Sequence, residues 1–520
     1  MKRLFALVFA LVLLLTGCGF PANWSGYTAY ADMEYEHLDM DTVQDAIDAA
    51  CNAAENARTL QELENRILEF YDIYDRFYTN YNLSYIKYCT DVTDIYWQKE
   101  STYCAENIAR IDAGLDEIYR ALAKSSYRER LESDDYFGAD FFDAYEGESI
   151  WDETFLSYLE EEASLEQRYY DLCEDASAVE YYSEEFFTDH APAMAQVFLE
   201  LVRLRQEMAA YLGYGSYPEF AYDFYYYRDY TPAEAAAYFE SIGTHMASLY
   251  RRMESIQPED STTADTMDYL RKAANAMGGR IAKAYSLLTD RGLYDIAPSE
   301  KKYDISFEVF LDSYYVPFIF LCPTGTSYDN LTFAHEFGHF VNDYVCGGSI
   351  AGTDIAEVHS QAMEYLSLCY AEDAQALRDM KMADAICVYV EQSAYSLFEH
   401  QVYGLTGEDL TLENIQQLYT DIGVGFGFES TNWDYRDYVL ITHLFIEPLY
   451  MASYVASNDV AFQIYQKERA VTGAGLKLYE EMLSSQDSYL VAFAESYGLE
   501  NPFDPDRVPE ICRALDPLFS

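Results

Sequence analysis

The residues of this chain best suited to chemistry are His335, Glu336 and His339, which lie in the sequence His-Glu-Phe-Gly-His. On a helix, residues i and i+4 lie above one another on the same face, so both imidazoles could bind one zinc ion. The glutamate would then lie beside a water bound to that ion. The pattern predicts a zinc hydrolase, and a chance match is the alternative.

A catalytic zinc site usually has three protein ligands, and residues 354–364 are the predicted source of the third. One face of the helix predicted there carries Glu357, Gln361, Glu364 and Leu368. We predict that Glu357 binds the metal and that Glu364 orients a ligating histidine. His359 lies off that face and is an alternative ligand. A solvated acidic face is the alternative for the whole segment.

The elements that must position these residues are predicted to be helices almost throughout. Helix starts recur in capping-box form at Thr59 with Glu62, at Ser164 with Gln167, and at Thr231-Pro232-Ala233-Glu234. Apolar and aromatic residues return every three or four positions, as in Leu60, Leu63, Ile67 and Tyr71. Most of the 52 tyrosines are therefore predicted to be packing and surface residues.

The clearest exception is residues 316–322, an apolar run that is followed by Pro323 and Gly325. Such a run predicts a short strand and a turn just before the metal helix. The free edge of a strand in this place could form hydrogen bonds with an extended peptide substrate. A small structural hairpin is the alternative.

Spaced glycines at residues 423–427 form a second interruption of the helical pattern. No Gly-Lys-Ser/Thr sequence follows, which disfavours a phosphate-binding loop. We predict a flexible loop over the active site.

The chain resembles the oligoendopeptidase F family, whose relatives include thimet oligopeptidase and neurolysin. The resemblance begins with residues 332–339, Thr-Phe-Ala-His-Glu-Phe-Gly-His, followed by Glu357, Ser360 and Glu364. Further similar segments are 212–217, Arg228-Asp229-Tyr230-Thr231-Pro232, 293–296, 317–329 and 443–454. The similarity covers about residues 200 to 460 and is limited to helical character in the N-terminal third.

The resemblance implies a mainly α fold with two helical lobes around a deep central channel that admits short peptides. It implies one Zn2+ per chain, bound by His335, His339 and Glu357. Glu336 would be the general base, and Glu364 would lie behind a ligand.

The resemblance also implies that His443, Tyr450 and Tyr454 contact the substrate or the oxyanion. With Glu447, these residues have the spacing of one helical stripe, which supports the grouping independently. Pro448 would kink or start a helix within the stripe. A stripe of core tyrosines is the alternative.

The first 35 residues predict a targeting segment. Residues 1–17 have the basic start and the short apolar run of a secretory signal, and Leu15-Thr16-Gly17-Cys18 resembles a bacterial lipobox. Cys18 would carry the lipid, and residues 18–35 would form a tether. The predicted location is extracytoplasmic, on the bacterial cell membrane, and an ordinary signal peptide is the alternative.

The composition of the chain argues against several classes of binding partner. The net charge of -57 disfavours nucleic acid and anionic lipid surfaces, which proteins bind through clustered Lys and Arg. Nine cysteines remain beyond Cys18, without a disulfide-like spacing, and none is assigned to the metal. Cys322, Cys369 and Cys387 are predicted to be buried thiols.

The mature chain is predicted to consist of an N-terminal helical part, residues 36–200, and a catalytic helical part, residues 201–520. Its predicted function is zinc-dependent endopeptidase cleavage of short peptides by Glu-assisted attack of water. An extracellular peptide-binding lipoprotein without turnover is the alternative. A general metalloprotease that acts on folded proteins is a third hypothesis.

Overall fold

The structure is a computed structural model that describes residues 26–133, 136–176, 179, 182–253, 256–348, 352–372, 374–428, 433–485 and 487–516. The predicted signal sequence and Cys18 lie outside these residues. The described chain is mainly α-helical with one small β-sheet, which confirms the predicted fold class. Within the described ranges, no helix combines the length and the apolar character that a membrane crossing needs.

The helices before the sheet are α1 (Met40–Asn56), α2 (Leu60–Thr90), α3 (Ile95–Ala123), α4 (Arg128–Leu131), α5 (Glu153–Ala176), α6 (Glu184–Asp189), α7 (Ala191–Tyr211), α8 (Tyr217–Phe224), α9 (Pro232–Tyr250), α10 (Thr263–Met277) and α11 (Gly279–Arg291). The strands are β1 (Tyr294–Asp295), β2 (Ser306–Leu311) and β3 (Val316–Leu321). The helices after the sheet are α12 (Asp329–Cys346), α13 (Thr353–Tyr370), α14 (Gln375–Val402), α15 (Leu412–Phe426), α16 (Thr442–Ile446), α17 (Met451–Ala470), α18 (Ala474–Met482), α19 (Leu490–Ser496) and α20 (Arg507–Leu515).

Capping explains where several helices begin. At α9, the Thr231 side chain accepts from the backbone of Glu234 and the Glu234 carboxylate accepts from the backbone of Thr231, which confirms the predicted capping box. The predicted start at Ser164 is wrong, because α5 runs through it without a break. That helix starts a few turns earlier, where Asp152 Oδ1 accepts from the backbone N–H groups of Thr154 and Phe155.

The predicted strand is confirmed as β3, but its predicted free edge is wrong. β3 is the central strand of the sheet, in the order β1-β3-β2. It pairs antiparallel with β2 along its whole length and parallel with β1 at Ile319 and Phe320. Every residue of β3 is buried, so this strand is a structural support for the following helix α12.

The predicted loop at residues 423–427 is also wrong. Helix α15 continues through Gly423 and Gly425 and stops at Gly427, whose φ of 77° is the left-handed conformation common at helix ends. A Cβ at Gly423 would lie 2.3 Å from the Trp433 ring, so glycine is needed there for close packing. Gly423 thus allows close packing and Gly427 ends the helix. The spacing of glycines in a sequence does not distinguish these two roles from a flexible loop.

The buried side chains form two large apolar clusters. The smaller runs from Leu38 to Tyr145, within α1 to α3 and the segment that follows them. The larger contains most of the remaining core, including β3 and α12. Nine cysteines are free among the described residues, and Cys322, Cys369 and Cys387 are partly exposed rather than fully buried as predicted. The division at residue 200 stays a prediction.

Candidate metal centre

Helix α12 carries the two histidines with their imidazoles on one side and an apolar face on the other. Phe333, Phe337 and Phe340 are fully buried in the larger core. The side chains of His335 and His339 keep exposed fractions of 20% and 17%. The apolar face thus fixes the helix against the core and directs both imidazoles to a recess that remains accessible.

Gly338 allows α12 to pack directly on α13. A Cβ at this position would lie 2.5 Å from the Cα of Ser360 and 2.6 Å from the carbonyl oxygen of His359. Both contacts are with backbone, which cannot move aside as a flexible side chain could. The glycine therefore sets the short distance between the helix of the two histidines and the helix of Glu357.

We expect Gly338→Ala to destabilise the fold by about 1–3 kcal/mol, the usual cost of overpacking a core. Urea unfolding measures this loss. Gly425→Ala is the matched control, because Gly425 is a helical glycine with no atom near its missing Cβ. That control should gain about 0.5–1 kcal/mol from helix propensity. Equal stability of the two variants would contradict the backbone contact.

The ligand atoms of His335, His339 and Glu357 converge, all within 4.8 Å of one another. Glu357 Oε2 lies 3.4 Å from His335 Nε2 and 3.8 Å from His339 Nε2. Ligands about 2.0–2.2 Å from a tetrahedral zinc ion are about 3.3–3.5 Å apart, so this spacing suits one ion. Two imidazoles and one carboxylate are also a donor set that catalytic zinc sites use.

The carboxylates around the two imidazoles create a negative field. Burial acts to lower the pKa of His335, but Glu357 and Glu364 outweigh it and raise that pKa to about 9. Burial, followed by the neighbouring His335, holds the pKa of His339 well below its usual value. The carboxylates of Glu357 and Glu364 thus favour positive charge at His335, and a divalent cation bound there would be stabilised in the same way.

Glu357 is fixed from both sides. Ser360 Oγ donates to Glu357 Oε2 at 2.8 Å, and Tyr450 Oη donates to Glu357 Oε1 at 2.6 Å. The residue is 1% exposed, as expected for a carboxylate that is part of a preorganised site.

Glu364 connects the site to a third helix, α14. Its Oε1 lies 2.9 Å from His335 Nδ1, and its Oε2 lies 2.7 Å from Lys381 Nζ. Lys381 is 1% exposed and also contacts Asp384 Oδ2 at 2.8 Å. Burial acts to raise the pKa of Glu364, but Lys381 and His335 outweigh it and lower that pKa. An ionised Glu364 fixes the ring of His335 with Nε2 directed at Glu357.

Lys381→Met is expected to weaken metal binding by about 10–100-fold, the usual loss when a partner behind a ligand is removed. Competition with a chelating dye measures the affinity without any assay of activity. Lys272→Met is the control, because Lys272 forms an ion pair on the surface with half its side chain exposed. A Lys381→Met protein that melts normally and binds metal as tightly as the control would contradict this role.

Glu336 lies on the same helix as the histidines but outside the ligand group. It is 6% exposed, and burial together with Glu357 raises its pKa to about 7 against the opposing effect of His335. A carboxylate with a pKa near neutrality can both accept and return a proton. These are the properties of a general base.

His443, Tyr450 and Tyr454 are brought together beside Glu357, but the predicted single helical stripe is wrong. Helix α16 ends at Ile446, and α17 begins only at Met451. Tyr454 Oη lies 3.4 Å from His443 Nε2, and the rings of Tyr450 and Tyr454 are 5.2 Å apart. The grouping therefore arises from a turn between two helices.

Burial and then Glu357 raise the pKa of both Tyr450 and Tyr454 well above the ordinary value. Burial lowers the pKa of His443, against the effect of Glu357. Both phenols therefore remain protonated and His443 remains neutral at pH 7. All three can act as uncharged hydrogen-bonding groups beside the ligands.

Two further residues lie outside the ligand group: His359, the alternative ligand, and Lys381. His359 does not join the ligand group, and its ring packs against Tyr479 and Phe493. Lys381 was not predicted. A lysine between two buried methionines, Met380 and Met382, was the available signal, since an isolated charge in a core needs a partner.

Residues 30–149 match the family described as Peptidase M3 N-terminal domain. No curated protein matches the chain. Among solved structures, one provisionally assigned as oligoendopeptidase F has a TM-score of 0.81 at 20% identity, with 95% of this chain and 98% of the other covered.

Two other solved structures have the same fold. Pz peptidase A, in a structure with an inhibitor, has a TM-score of 0.80 at 18% identity and covers 94% of this chain and 98% of its own. An oligoendopeptidase F, again provisionally assigned, from Bacillus anthracis has a TM-score of 0.77 at 18% identity, with coverage of 95% and 98%. The comparisons confirm the resemblance to the oligoendopeptidase F family that the motifs indicate.

Proposed function

We propose that this chain, which resembles the oligoendopeptidase F family in its fold and in its N-terminal segment, is a zinc-dependent endopeptidase for short peptides. The observation that carries the proposal is the convergence of His335, His339 and Glu357, with Glu336 on the same helix and outside the ligand group. A protein that only binds peptides has no need of a buried carboxylate with a pKa of about 7 beside such a group.

Zinc at this site would polarise the scissile carbonyl and lower the pKa of the attacking water towards about 7. Glu336 accepts a proton from that water as its oxygen attacks the carbonyl carbon. It then returns the proton to the amine nitrogen as the C–N bond breaks. The products are a carboxylic acid and an amine, which become a carboxylate and an ammonium group by proton transfer at neutral pH, and Glu336 returns to its initial state.

The two tyrosines have different roles in this proposal. Tyr450 donates to Glu357 Oε1 and so orients a ligand. Among the described residues, the hydrogen-bond partner of the Tyr454 phenol is His443 Nε2, at the longer distance of 3.4 Å, so this phenol can donate to the oxyanion that develops during attack. His443 orients that phenol or the substrate.

Tyr454→Phe is expected to lower kcat by about 10²–10³-fold, the size expected for one oxyanion donor, with little change in metal affinity. Tyr450→Phe should instead weaken metal binding, since it removes a hydrogen bond to a ligand. Steady-state kinetics and a metal-competition assay on both variants separate the roles. The opposite pattern, with metal affinity reduced only in Tyr454→Phe, would reverse the assignment.

Assays of quenched short peptides with and without a chelator test the proposed function. Cleavage that a chelator abolishes and zinc restores supports the endopeptidase. Tight peptide binding without product supports a peptide-binding lipoprotein. A parallel digest of an intact folded protein tests for a general metalloprotease, because a channel that excludes folded proteins would leave it cut far more slowly than short peptides.

We also propose that residues 1–17 form a signal peptide and that Cys18 is lipidated. The protein would then act outside the cytoplasm on a bacterial membrane, with residues 18–35 as its tether. The support is the lipobox-like sequence at the end of the apolar run. Mass spectrometry of the mature N-terminus tests this, since a lipidated Cys18 has a mass that no simple cleavage product has.

A further inference from the structure

The backbone that joins α16 to α17 contains a strained residue. Leu449 has a φ of 68°, in the left-handed region that non-glycine residues rarely adopt, and its side chain is fully buried. This conformation costs about 1–2 kcal/mol in a residue with a Cβ. Such strain persists only where the surrounding contacts determine the conformation, and it is concentrated at functional sites.

Three buried side chains from two other parts of the fold, the segment between α8 and α9 and the helix α14, determine this conformation. Tyr226 Oη donates to the carbonyl of Pro448 at 2.6 Å. Arg228 Nη2 donates to the carbonyl of Leu449 at 3.0 Å. Glu399 Oε1, from α14, accepts from the backbone N–H of Leu449 at 2.7 Å. The peptide groups on both sides of Leu449 are thus fixed.

Arg228 also connects this turn to the ligand helix α13. Its Nε lies 3.3 Å from Asp354 Oδ1 in the first turn of α13, and its Nη2 donates to Ser453 Oγ at 2.8 Å in the first turn of α17. The guanidinium lies between the rings of Tyr222 and Tyr226, 4.3 Å from each centroid. One buried cation therefore joins the helix of Glu357 to the helix of Tyr454.

Glu399 is the simplest of these residues to test. It is 1% exposed, and its Oε2 has no hydrogen-bond partner among the described residues. The only hydrogen bond of its carboxyl group within the described part of the chain is thus the one from the Leu449 N–H. Burial of a carboxyl group with a single backbone hydrogen bond lowers the stability of the fold, so its presence here indicates that this hydrogen bond has a function.

We propose that Glu399 and Arg228 are positioning residues that hold the Leu449 turn so that Tyr450 meets Glu357 and Tyr454 meets His443. The proposal rests on the proposed function. Neither residue belongs to the ligand group, and each contacts the backbone of the turn.

The test compares Glu399→Gln, which keeps an acceptor for the Leu449 N–H, with Glu399→Met, which has similar length and no strong acceptor. We expect Glu399→Met to lower kcat by about 10²-fold, as a displacement of about 1 Å can, with KM little changed. We expect Glu399→Gln to restore kcat to within a few-fold of the parent protein.

Crystal structures of both metal-free variants provide a readout that is independent of activity. In Glu399→Met, Leu449 should leave the left-handed region and Tyr450 Oη should move out of hydrogen-bonding distance of Glu357. In Glu399→Gln both features should remain. A Glu399→Met structure that keeps them overturns the positioning proposal, whereas an inactive parent protein overturns the proposed function alone.

Tyr226→Phe is a second, milder variant that tests the same turn if Glu399→Met does not fold. This change removes a single hydrogen bond, to Pro448, and retains the ring. We expect a fall in kcat of about 3–10-fold with a small change in melting temperature, consistent with the loss of about 1 kcal/mol. A kcat equal to that of the parent protein would overturn the role of the turn.

Discussion

Glu336→Gln is expected to retain the metal and to lose turnover by about 10²–10⁴-fold, the usual contribution of a positioned general base. Glutamine has the size of glutamate and can accept hydrogen bonds, but it cannot take up the proton that the attacking water releases. Glu336 is not in the ligand group, so the affinity for zinc should be close to that of the parent protein. Metal analysis and kcat measured on the same preparation separate these two effects.

Asp343→Asn is the matched control for this change. Asp343 lies on the same helix α12, is also 6% exposed, and also has a pKa of about 7 because of burial. It lies two turns beyond Glu336 and outside the ligand group. The control should keep kcat within a few-fold of the parent protein. A Glu336→Gln protein as active as Asp343→Asn would refute the assignment of the general base.

Glu357→Ala is expected to abolish activity by removing the metal. This carboxylate completes the group of His335, His339 and Glu357 that could hold a metal ion, and Tyr450 and Ser360 lose their common acceptor with it. The affinity for zinc should fall by more than the roughly 10–100-fold that a partner behind a ligand contributes. Equilibrium dialysis against zinc buffers measures the loss, and activity should stay absent after zinc is added at ordinary assay concentrations.

His359→Leu is the control for the third ligand, since His359 is the alternative that the sequence leaves open. It is 1% exposed and packs against Tyr479 and Phe493, where leucine can replace its apolar contacts. Metal affinity should be retained. If His359→Leu lost the metal and Glu357→Ala kept it, the two residues would exchange roles.

The convergence of His335, His339 and Glu357 could be predicted from the sequence because helical geometry determines which side chains share a face. His335 and His339 are four residues apart, and Glu357 and Glu364 are seven apart, so each pair lies on one face of its helix whatever the tertiary packing. The two faces lie together because α12 packs closely on α13, and the absence of a side chain at Gly338 beside Ser360 allows this packing.

Other features depended on tertiary contacts that no local pattern contains. Pro448 predicts an interruption between α16 and α17, but the conformation of the turn depends on the left-handed Leu449 and on distant residues such as Glu399 and Arg228. The central place of β3 depends on β1, a strand of two residues with no strand pattern of its own. The role of Lys381 depends on the packing of α14, which places this lysine beside Glu364.

Gly338 bears on how a metal motif of this kind can be recognised in other sequences. A chance His-Glu-x-x-His has no reason to carry any particular residue in its fourth position. In this fold that position meets the backbone of the neighbouring ligand helix, where any side chain would collide. The glycine is thus a requirement of the architecture, and its presence distinguishes a histidine pair that packs against a second helix in this way from an accidental one.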